Sequence, residues 1–450
     1  MKIKILILLG FSILLASCSL LEPKVKESTL SSNEKMFFSR LMALGDNIIA
    51  GYQSAALTEK HQKRSFVALI AEQCETPDFM QPYIGYPGLG SESYAGYGIL
   101  KLKYLDDPET PNTVNPDPVI VAEPFSDYGY DPATNPFSSD DVKFWPYPYN
   151  NLAVPGIYVD DVFKATTRLR SRSKSGLLDI ILRNPLPDPY GYKTAFAQAK
   201  LFQPSLILCW IGMYDVFSYA QYNPVNPVTE PPTSKKDFAQ YFAQLMDSLK
   251  STQAAVVTAN IPDILDMPYF HTIPGVVIDT VTNTPVTDDN GNPIPLNGVE
   301  PGDLVLTPAR IFIKQGYGLP SDFPKSNGQP LPEEVVLDKN EQAIVADLIA
   351  GYNAAIDSIC ALRKIPVVDM YAFFKEIANG TEIAGLKLSA DFITGGFYSL
   401  DGVHPSDLGH VLLANEWLRT INENFPVSVP LLDVMDRLDQ LQYGDSLLVK

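Results

Sequence analysis

The chain has 450 residues, of which 46% are hydrophobic, so it can bury a large core in one elaborated domain or two smaller ones. Its formal net charge of −18 argues against nucleic acid as a partner and against binding to anionic lipid. The 4 cysteines do not form the pattern of a disulfide framework, and no spacing predicts a zinc site or another bound cofactor.

The first residues have the pattern of a targeting segment. Two lysines precede an apolar run at 5–15, which is too short to be a convincing membrane span. The run ends in Leu-Ala-Ser-Cys at 15–18, which resembles the cleavage box of bacterial lipoproteins. The resemblance implies that residues 1–17 are a signal peptide and that Cys18 carries a lipid that anchors the chain to a membrane. An ordinary secretory signal that happens to contain a cysteine is the alternative.

The residues after the predicted lipid position suggest a cellular location and a flexible tether. Ser19 follows the cysteine, and by the sorting habit of many such bacteria this implies the cell envelope at the outer membrane of a Gram-negative organism. Residues 18–35 are polar and short of aromatic side chains, so we expect a tether between the lipid and the fold.

The first element of the fold is a strand, a turn and a helix. The apolar run 36–44 predicts a buried strand, and Arg64–Glu72 has helical spacing of apolar residues. Between them, Gly45-Asp46-Asn47 forms a turn that would hold Asn47 at the carboxyl end of a sheet. Ligands gather at such ends in α/β folds.

The triplet 45–47 resembles block one of the GDSL or SGNH hydrolases, a family of serine esterases and lipases. The family pattern is Gly-Asp-Ser, with the serine as nucleophile, and Asn47 stands at that serine position. An amide has no proton that a histidine could remove to make an alkoxide, so Asn47 cannot act by the family's route.

Two further blocks resemble the family's oxyanion donors. Asn-Leu-Ala-Val-Pro-Gly at 151–156 matches block two, which implies that the Gly156 N–H donates to the oxyanion; a helix beginning near Ile157 would add its dipole there. The apolar run 204–211 predicts a central parallel strand buried on both faces. It leads into Gly-Met-Tyr-Asp, where Tyr214 replaces the asparagine donor of the family's block three.

The final block is intact. Asp401-Gly-Val-His404 matches the family's Asp-x-x-His, which implies that His404 is the general base and that Asp401 orients it. Helices at 194–201, 237–251 and 338–363, with strands at 254–259 and 365–370, continue the alternation of elements.

Two Pro-rich insertions interrupt the alternation, at about 75–147 and 271–335. The first is dense in Tyr, so we expect it to lie over the carboxyl end of the sheet, either as the wall of a groove or as a loop with its own small core. The second contains a hairpin-turn signal at 289–291. Its alternating Asp and Asn residues lack the distal Glu of a calcium loop, so no calcium site is predicted. Residues 427–450 are a tail that could dock as a helix.

These patterns together predict a three-layer α/β/α domain at 36–426, SGNH-hydrolase-like and flavodoxin-like, with a mostly parallel sheet. The resemblance implies an ancestral activity on acyl esters of lipids or acetyl groups on glycans. Our leading hypothesis is a pseudoenzyme, retained as a scaffold or as a module that binds an acylated lipid or an acetylated glycan.

Two other hypotheses remain open. One is an atypical esterase that uses Asp46, Ser54 or water activated by His404. The other is an envelope assembly protein in which the groove is incidental. An open pocket that reaches His404 and Gly156 would favour hydrolysis or ligand binding, whereas Tyr214 packed over the site would favour the assembly protein.

Overall fold

The computed structural model describes residues 29–90, 96–104, 118–186, 190–222, 231–279 and 284–440. The predicted signal peptide, the predicted lipid position Cys18 and the end of the tail lie outside the described residues.

Helices and strands alternate along the described chain. The strands are β1 Leu41–Gly45, β2 Tyr97–Tyr104, β3 Pro118–Pro124, β4 Leu206–Trp210, β5 Ala255–Ala259, β6 Leu304–Val305, β7 Val336–Leu337, β8 Val367–Val368, β9 Thr381–Ile383 and β10 Leu386–Leu388. The α-helices are Ser32–Phe38, Asn47–Ala50, Glu59–Gln62, Phe66–Gln73, Asp140–Lys143, Asp161–Lys164, Gly176–Leu182, Ala195–Phe202, Tyr214–Tyr222, Lys235–Lys250, Ala309–Lys314, Lys339–Arg363, Met370–Ala378, Asp407–Asn424 and Val434–Gln440.

The central sheet is parallel, with strand order β1-β4-β5-β8. Segment 150–154 extends it beyond β1, because the Ala43 N–H donates to the Asn150 carbonyl at 2.8 Å and the Val154 N–H donates to the Gly45 carbonyl at 2.9 Å. With this segment counted second in the chain, the order is the flavodoxin-like 2-1-3-4-5, whose switch point lies between β1 and β4. The predicted α/β class is confirmed, and Asn47 and Tyr214 both lie at that switch point.

Helices cover both faces of the sheet. Trp210 packs against Phe66 and Trp417, whose helices therefore share one face. The neighbouring residue Cys209 lies beside Cys360 of helix Lys339–Arg363. Because consecutive side chains of a strand point to opposite faces, these helices form the two outer layers of an α/β/α sandwich.

The first strand is shorter than the apolar run 36–44 predicts, and residues 36–38 end a helix instead. Ser31 starts that helix with a capping box, in which its side chain accepts from the Glu34 N–H and the Glu34 carboxylate accepts from the Ser31 N–H. The capping residues therefore set the start of this helix, and the apolar run 36–44 forms first the end of the helix and then β1. The predicted helix Arg64–Glu72 is likewise wrong in its start, since helix Phe66–Gln73 begins after the Ser65 cap.

The second insertion has its own small core. Ile273, Val277, Leu296, Val305 and other apolar residues pack together apart from the main core. The predicted hairpin turn is present, since the Asp288 N–H donates to the Asn292 carbonyl at 2.9 Å. No group of side chains suited to a metal ion occurs in the part of the chain that the structure describes.

Helix Lys339–Arg363 is long and apolar enough, by length and composition alone, to cross a membrane. Its Tyr352 and Cys360 side chains are nonetheless fully buried, and Tyr352 stacks on Phe238 with ring centroids 4.1 Å apart. These contacts are those of a core helix.

The approach of β1 to β4 requires a glycine at position 45. A Cβ at Gly45 would lie 2.0 Å from the Trp210 carbonyl oxygen. We expect Gly45→Ala to lower the free energy of unfolding by about 3 kcal/mol, because the neighbour is backbone and cannot yield cheaply.

Gly380→Ala is the matched control for this change. Gly380 has φ of +83° and no atom within 4 Å of an added Cβ, so the substitution there carries only the cost of a left-handed backbone, about 1 kcal/mol. Urea denaturation of both variants gives the comparison, and an equal loss of stability would contradict the packing argument.

Candidate active site

Asn47 begins a short helix directly after β1 and Asp46. Its side chain is buried, and its Oδ1 accepts a hydrogen bond from the Gly156 N–H at 2.7 Å. The residue at the predicted nucleophile position and the predicted oxyanion donor are therefore bonded to each other. A donor that is already satisfied in this way is not open to a substrate oxyanion.

Tyr214 covers the other side of Gly156. A Cβ built on Gly156 would lie 3.6 Å from Tyr214 Cζ and 3.8 Å from its hydroxyl oxygen, so the ring is in close contact with this turn. Tyr158 packs edge-to-face on the same ring, with centroids 5.3 Å apart. Tyr214 thus fills space at the position where the resemblance places an asparagine amide.

The helix predicted near Ile157 is wrong, since the helix begins only at Asp161. The intervening turn is held by carboxylates: Asp215 Oδ2 accepts from the Val159 N–H at 2.9 Å, and Asp161 Oδ2 accepts from the Tyr158 N–H at 3.4 Å. These acceptors take backbone donors that a helix start at Ile157 would have left free. Gly156 therefore has no helix dipole behind it.

Asp401 and His404 form the pair that the final block predicts. Asp401 Oδ2 lies 3.0 Å from His404 Nδ1, and it also accepts from the Ala55 N–H at 2.9 Å. The other oxygen accepts from the N–H groups of Val403 and His404, each at 2.9 Å. Burial raises the pKa of Asp401, but the His404 ring and these donors outweigh it and hold the pKa at about 2. The carboxylate is thus ionised at every working pH and fixes the imidazole.

The far side of the His404 ring makes no hydrogen bond within the part of the chain that the structure describes. Its Nε2 is buried and makes no hydrogen bond to any described group, Asn47 included. Tyr52 packs edge-on against the ring, with centroids 4.9 Å apart. The predicted base is therefore oriented by its predicted acid partner, and no hydroxyl among the described residues is hydrogen-bonded to its Nε2.

Asp46 joins the ends of β1 and β4. It is almost fully buried, and the backbone N–H groups of Tyr214, Ile48 and Met213 lie close enough to its carboxyl to lower its pKa. Burial raises its pKa to about 7, although those donors and the His404 charge oppose the rise. These contacts give Asp46 a structural role at the switch point.

Sequence reasoning missed a second cluster, centred on Asp407. One carboxyl oxygen accepts from Gln53 Nε2 at 2.6 Å and lies 2.7 Å from His61 Nδ1; the other accepts from Arg64 at 2.7 Å. Burial raises the Asp407 pKa, but His61 and Arg64 outweigh it and hold that pKa well below the usual range. The signal available in the sequence was weak, since these residues match no family block.

Four cavities of the described chain lie elsewhere. Cavities of about 840, 550, 440 and 80 Å³ are lined by other residues, and none of the four is lined by Asn47, Gly156, Tyr214 or His404. The residues predicted to be catalytic lie at one edge of the sheet, and Asn47, Gly156 and His404 are buried there in a closed arrangement.

A parallel sheet that carries an Asp–His pair and a backbone N–H donor at its carboxyl edge defines the framework of a serine-hydrolase-type α/β esterase. The chain belongs to the GDSL-like lipase/acylhydrolase family, whose model matches residues 41–417.

The solved structures that match this chain include several hydrolases. An alpha/beta hydrolase from the metagenome of Lake Arreo, Spain, is 11% identical, over 86% of this chain and 98% of that one, with a TM-score of 0.35. A catalytic mutant of an acetylxylan esterase from Geobacillus stearothermophilus is 12% identical, over 85% and 93%, with a TM-score of 0.35. A lipase/acylhydrolase from Enterococcus faecalis is 12% identical, over 65% and 85%, with a TM-score of 0.27. A comparison with curated proteins gives no match.

The raised pKa of Asp46 predicts a pH-dependent effect of Asp46→Asn. Between its ordinary value near 4 and about 7, the folded chain holds a proton on Asp46 that the unfolded chain has lost, so this group's contribution to stability falls as pH rises. Asn keeps an acceptor oxygen and cannot ionise. We expect the variant to gain about 2 kcal/mol relative to the parent between pH 5 and pH 8.

The measurement is chemical denaturation of both chains at each pH. Asp215 and Asp161 also have pKa values raised by burial, to about 7 and about 6, so the test is the difference between variant and parent and not the parent's own profile. The exposed Asp289→Asn is the control and should show no such trend. A pH-independent difference for Asp46→Asn would contradict the assigned ionisation.

Proposed function

We propose that this chain is a catalytically silent member of its family, retained as a scaffold or binding protein of the bacterial cell envelope. The observation that carries the proposal is the 2.7 Å hydrogen bond from the Gly156 N–H to Asn47 Oδ1. It joins the side chain at the nucleophile position to the N–H donor that would have to remain free to hold the oxyanion of an ester.

The two groups that this chain lacks are those whose loss lowers turnover most. Loss of a triad serine in a comparable hydrolase costs about 10⁶ in turnover. Loss of one oxyanion donor costs roughly a further 10² to 10³. Asp401 and His404 cannot compensate, because they only orient and move the proton of a nucleophile that this chain does not carry.

The closed arrangement favours a scaffold over ligand binding at the former catalytic position. Tyr214 packs against Gly156, and Tyr52 packs against His404, so an acyl group would have to displace both rings. An acylated lipid or an acetylated glycan remains the ligand class suggested by the family, at a surface outside this site. The lipid anchor at Cys18 would hold the domain at the membrane, at the outer membrane if the Ser19 sorting rule applies.

One observation supports slow hydrolysis as a second candidate. The Asp401–His404 pair is intact, and His404 Nε2 makes no hydrogen bond within the described chain. A water molecule admitted beside Nε2 could be activated as the nucleophile.

Ester hydrolysis by the full chain tests both candidates. We expect p-nitrophenyl acetate to be hydrolysed no faster with the parent chain than without enzyme. Asn47→Ser frees the Gly156 donor and supplies a hydroxyl, and adding Tyr214→Asn restores the amide donor, which should raise the rate about 10²-fold over the single variant.

Two further variants complete this assay. His404→Ala added to the double variant should remove the gained activity, whereas the exposed Asn290→Ser should leave the parent inactive. If the parent itself hydrolyses the ester and His404→Ala abolishes that activity, the chain is not catalytically silent. Slow hydrolysis, the second candidate function, would then be established.

Lipid attachment is tested separately in a bacterial host fed labelled palmitate. We expect the parent to take up label and its mature chain to begin at Cys18. Cys18→Ala should remove the label, whereas Cys74→Ala should retain it because Cys74 is fully buried in the fold. A parent chain that stays unlabelled and begins at another residue would show an ordinary secretory signal.

A further inference from the structure

The two edges of the central sheet differ in charge. The parallel strands β1, β4, β5 and β8 and the edge segment 150–154 all begin at one edge of the sheet. We define the amino edge by the six residues before each of these five segments, which are 35–40, 144–149, 200–205, 249–254 and 361–366. These 30 residues contain six Lys or Arg and no Asp or Glu. A chain with 52 acidic residues in 450 would place about three of them there at random.

The opposite edge of the sheet has the opposite charge. The six residues after each of the same five segments contain one acid each and no Lys or Arg, and these acids are Asp46, Asp160, Asp215, Asp263 and Asp369. The net charge of −18 is therefore unevenly distributed over the fold. That net charge argues against anionic lipid as a partner of the surface as a whole, but the argument does not apply to the amino edge.

Most cations of the amino edge are available to an outside anion. Two of the six are paired with acids from beyond the edge: Lys35 Nζ lies 3.0 Å from the Glu75 carboxylate, and the Arg363 guanidinium donates to both oxygens of Asp247 at 2.7 Å. The other four are exposed and form no ion pair within the described chain; they are Arg40, Lys200, Lys250 and Lys364.

Exposed apolar side chains lie among these cations. Leu362 is 80% exposed, Phe144 is 68% exposed and Met36 is 67% exposed, and Tyr147 and Leu201 are exposed as well. A helix dipole can favour a cation at the end of a helix, but it does not favour exposed apolar groups at the same place. Cations interspersed with apolar and aromatic side chains are typical of a surface that lies on a membrane.

The largest of the four cavities opens at the centre of the amino edge. Its volume is about 840 Å³, and its lining includes Met36 and Arg40 before β1, Gln203 before β4 and Thr252 before β5. The Arg40 backbone is fixed there, because its N–H donates to Ser205 Oγ at 3.0 Å. A guanidinium can bind a phosphate through two parallel hydrogen bonds. The centre of the edge is therefore a concave surface that can receive a lipid head group.

The predicted anchor is connected to this edge by a short length of chain. Helix Ser32–Phe38 ends at the amino edge and leads into β1, and its seven residues span about 10 Å. The 11 residues from 18 to 28 precede the described chain, and fully extended they would span at most about 36 Å. A lipid at Cys18 could therefore insert into a membrane that is in contact with the amino edge.

We infer that the amino edge docks on the surface of an anionic phospholipid bilayer, with its exposed cations against lipid phosphates and its apolar side chains among the head groups. The inference gives the proposed envelope scaffold a lipid partner and an orientation, and it rests on that proposal for the membrane that the chain meets in the cell. Docking leaves the closed Asn47 site, at the opposite edge of the sheet, directed away from the membrane.

Co-sedimentation with vesicles tests the inference on the mature chain from Ser19, which keeps every described residue and has no anchor. Anionic vesicles contain phosphatidylethanolamine and phosphatidylglycerol, and in neutral vesicles phosphatidylcholine replaces the phosphatidylglycerol. We expect the chain to bind the anionic vesicles at least tenfold more tightly. This difference should disappear when salt is raised from about 0.05 M to about 0.5 M, because salt screens exposed charges.

Charge variants assign the binding to the amino edge. Arg40→Gln with Lys364→Gln should weaken binding to anionic vesicles at least tenfold, since one cation near such a surface contributes about fivefold. Lys236→Gln with Lys314→Gln removes the same charge from exposed positions outside the edge and should change binding no more than about twofold.

Apolar variants test the same surface without a change in charge. Met36→Ser with Leu362→Ser should weaken binding to anionic vesicles, and because both side chains are exposed the variant should keep the thermal stability of the parent. Ile311→Ser with Ile344→Ser is the matched control at exposed positions outside the edge and should bind as the parent does.

Two results would overturn the inference. The first is equal binding, or none, of the parent to anionic and neutral vesicles. The second is an equal loss of binding in the two charge variants, because net charge and not the amino edge would then be responsible. If the palmitate assay shows no lipid on the chain but binding to anionic vesicles is retained, the anchor is rejected and the docking surface is supported.

Discussion

The hydrogen bond between Asn47 and the Gly156 N–H is the contact on which the whole carboxyl edge of the sheet depends. It joins the end of β1 to the turn that follows the edge segment, and it satisfies a backbone donor that would otherwise be buried without a partner. In a serine esterase that donor must stay open for the substrate. In this chain the Gly156 N–H donates to Asn47 instead, and the Tyr214 ring packs against the same turn.

The same edge holds its buried acids in two different states. Asp46 and Asp215 are enclosed with too few donors to offset burial, which raises both pKa values to about 7. Asp401 is slightly more exposed, and an imidazole and three backbone N–H groups hydrogen-bond to it and hold its pKa at about 2. The charge and the hydrogen bond of the His404 ring, more than the backbone donors, separate the carboxyl that stays ionised from the two whose pKa values burial raises.

Much of this arrangement could be predicted from the sequence, because the strongest signals are local. Continuous apolar runs predicted β1 and β4, and four short blocks in order predicted where Asn47, Gly156, Tyr214 and His404 would lie. The sequence could not show that Asn47 bonds Gly156, since that contact joins residues 109 positions apart. Nor could apolar periodicity show the helix Ser32–Phe38, whose start a capping box sets. It also could not show the delayed helix after Gly156, where the distant Asp215 and the local Asp161 bind the intervening backbone.

The Asp407 cluster has a consequence for the order in which the chain can fold. Its three partners belong to the first tenth or so of the domain, and they lie 354, 346 and 343 positions before the carboxylate that binds them. A chain synthesised from its amino terminus must carry Gln53, His61 and Arg64 without their acceptor until nearly all of the domain has been made. Closure of the fold is therefore a late event of synthesis, and a chain cut short before residue 407 loses the contact that binds its beginning to its end.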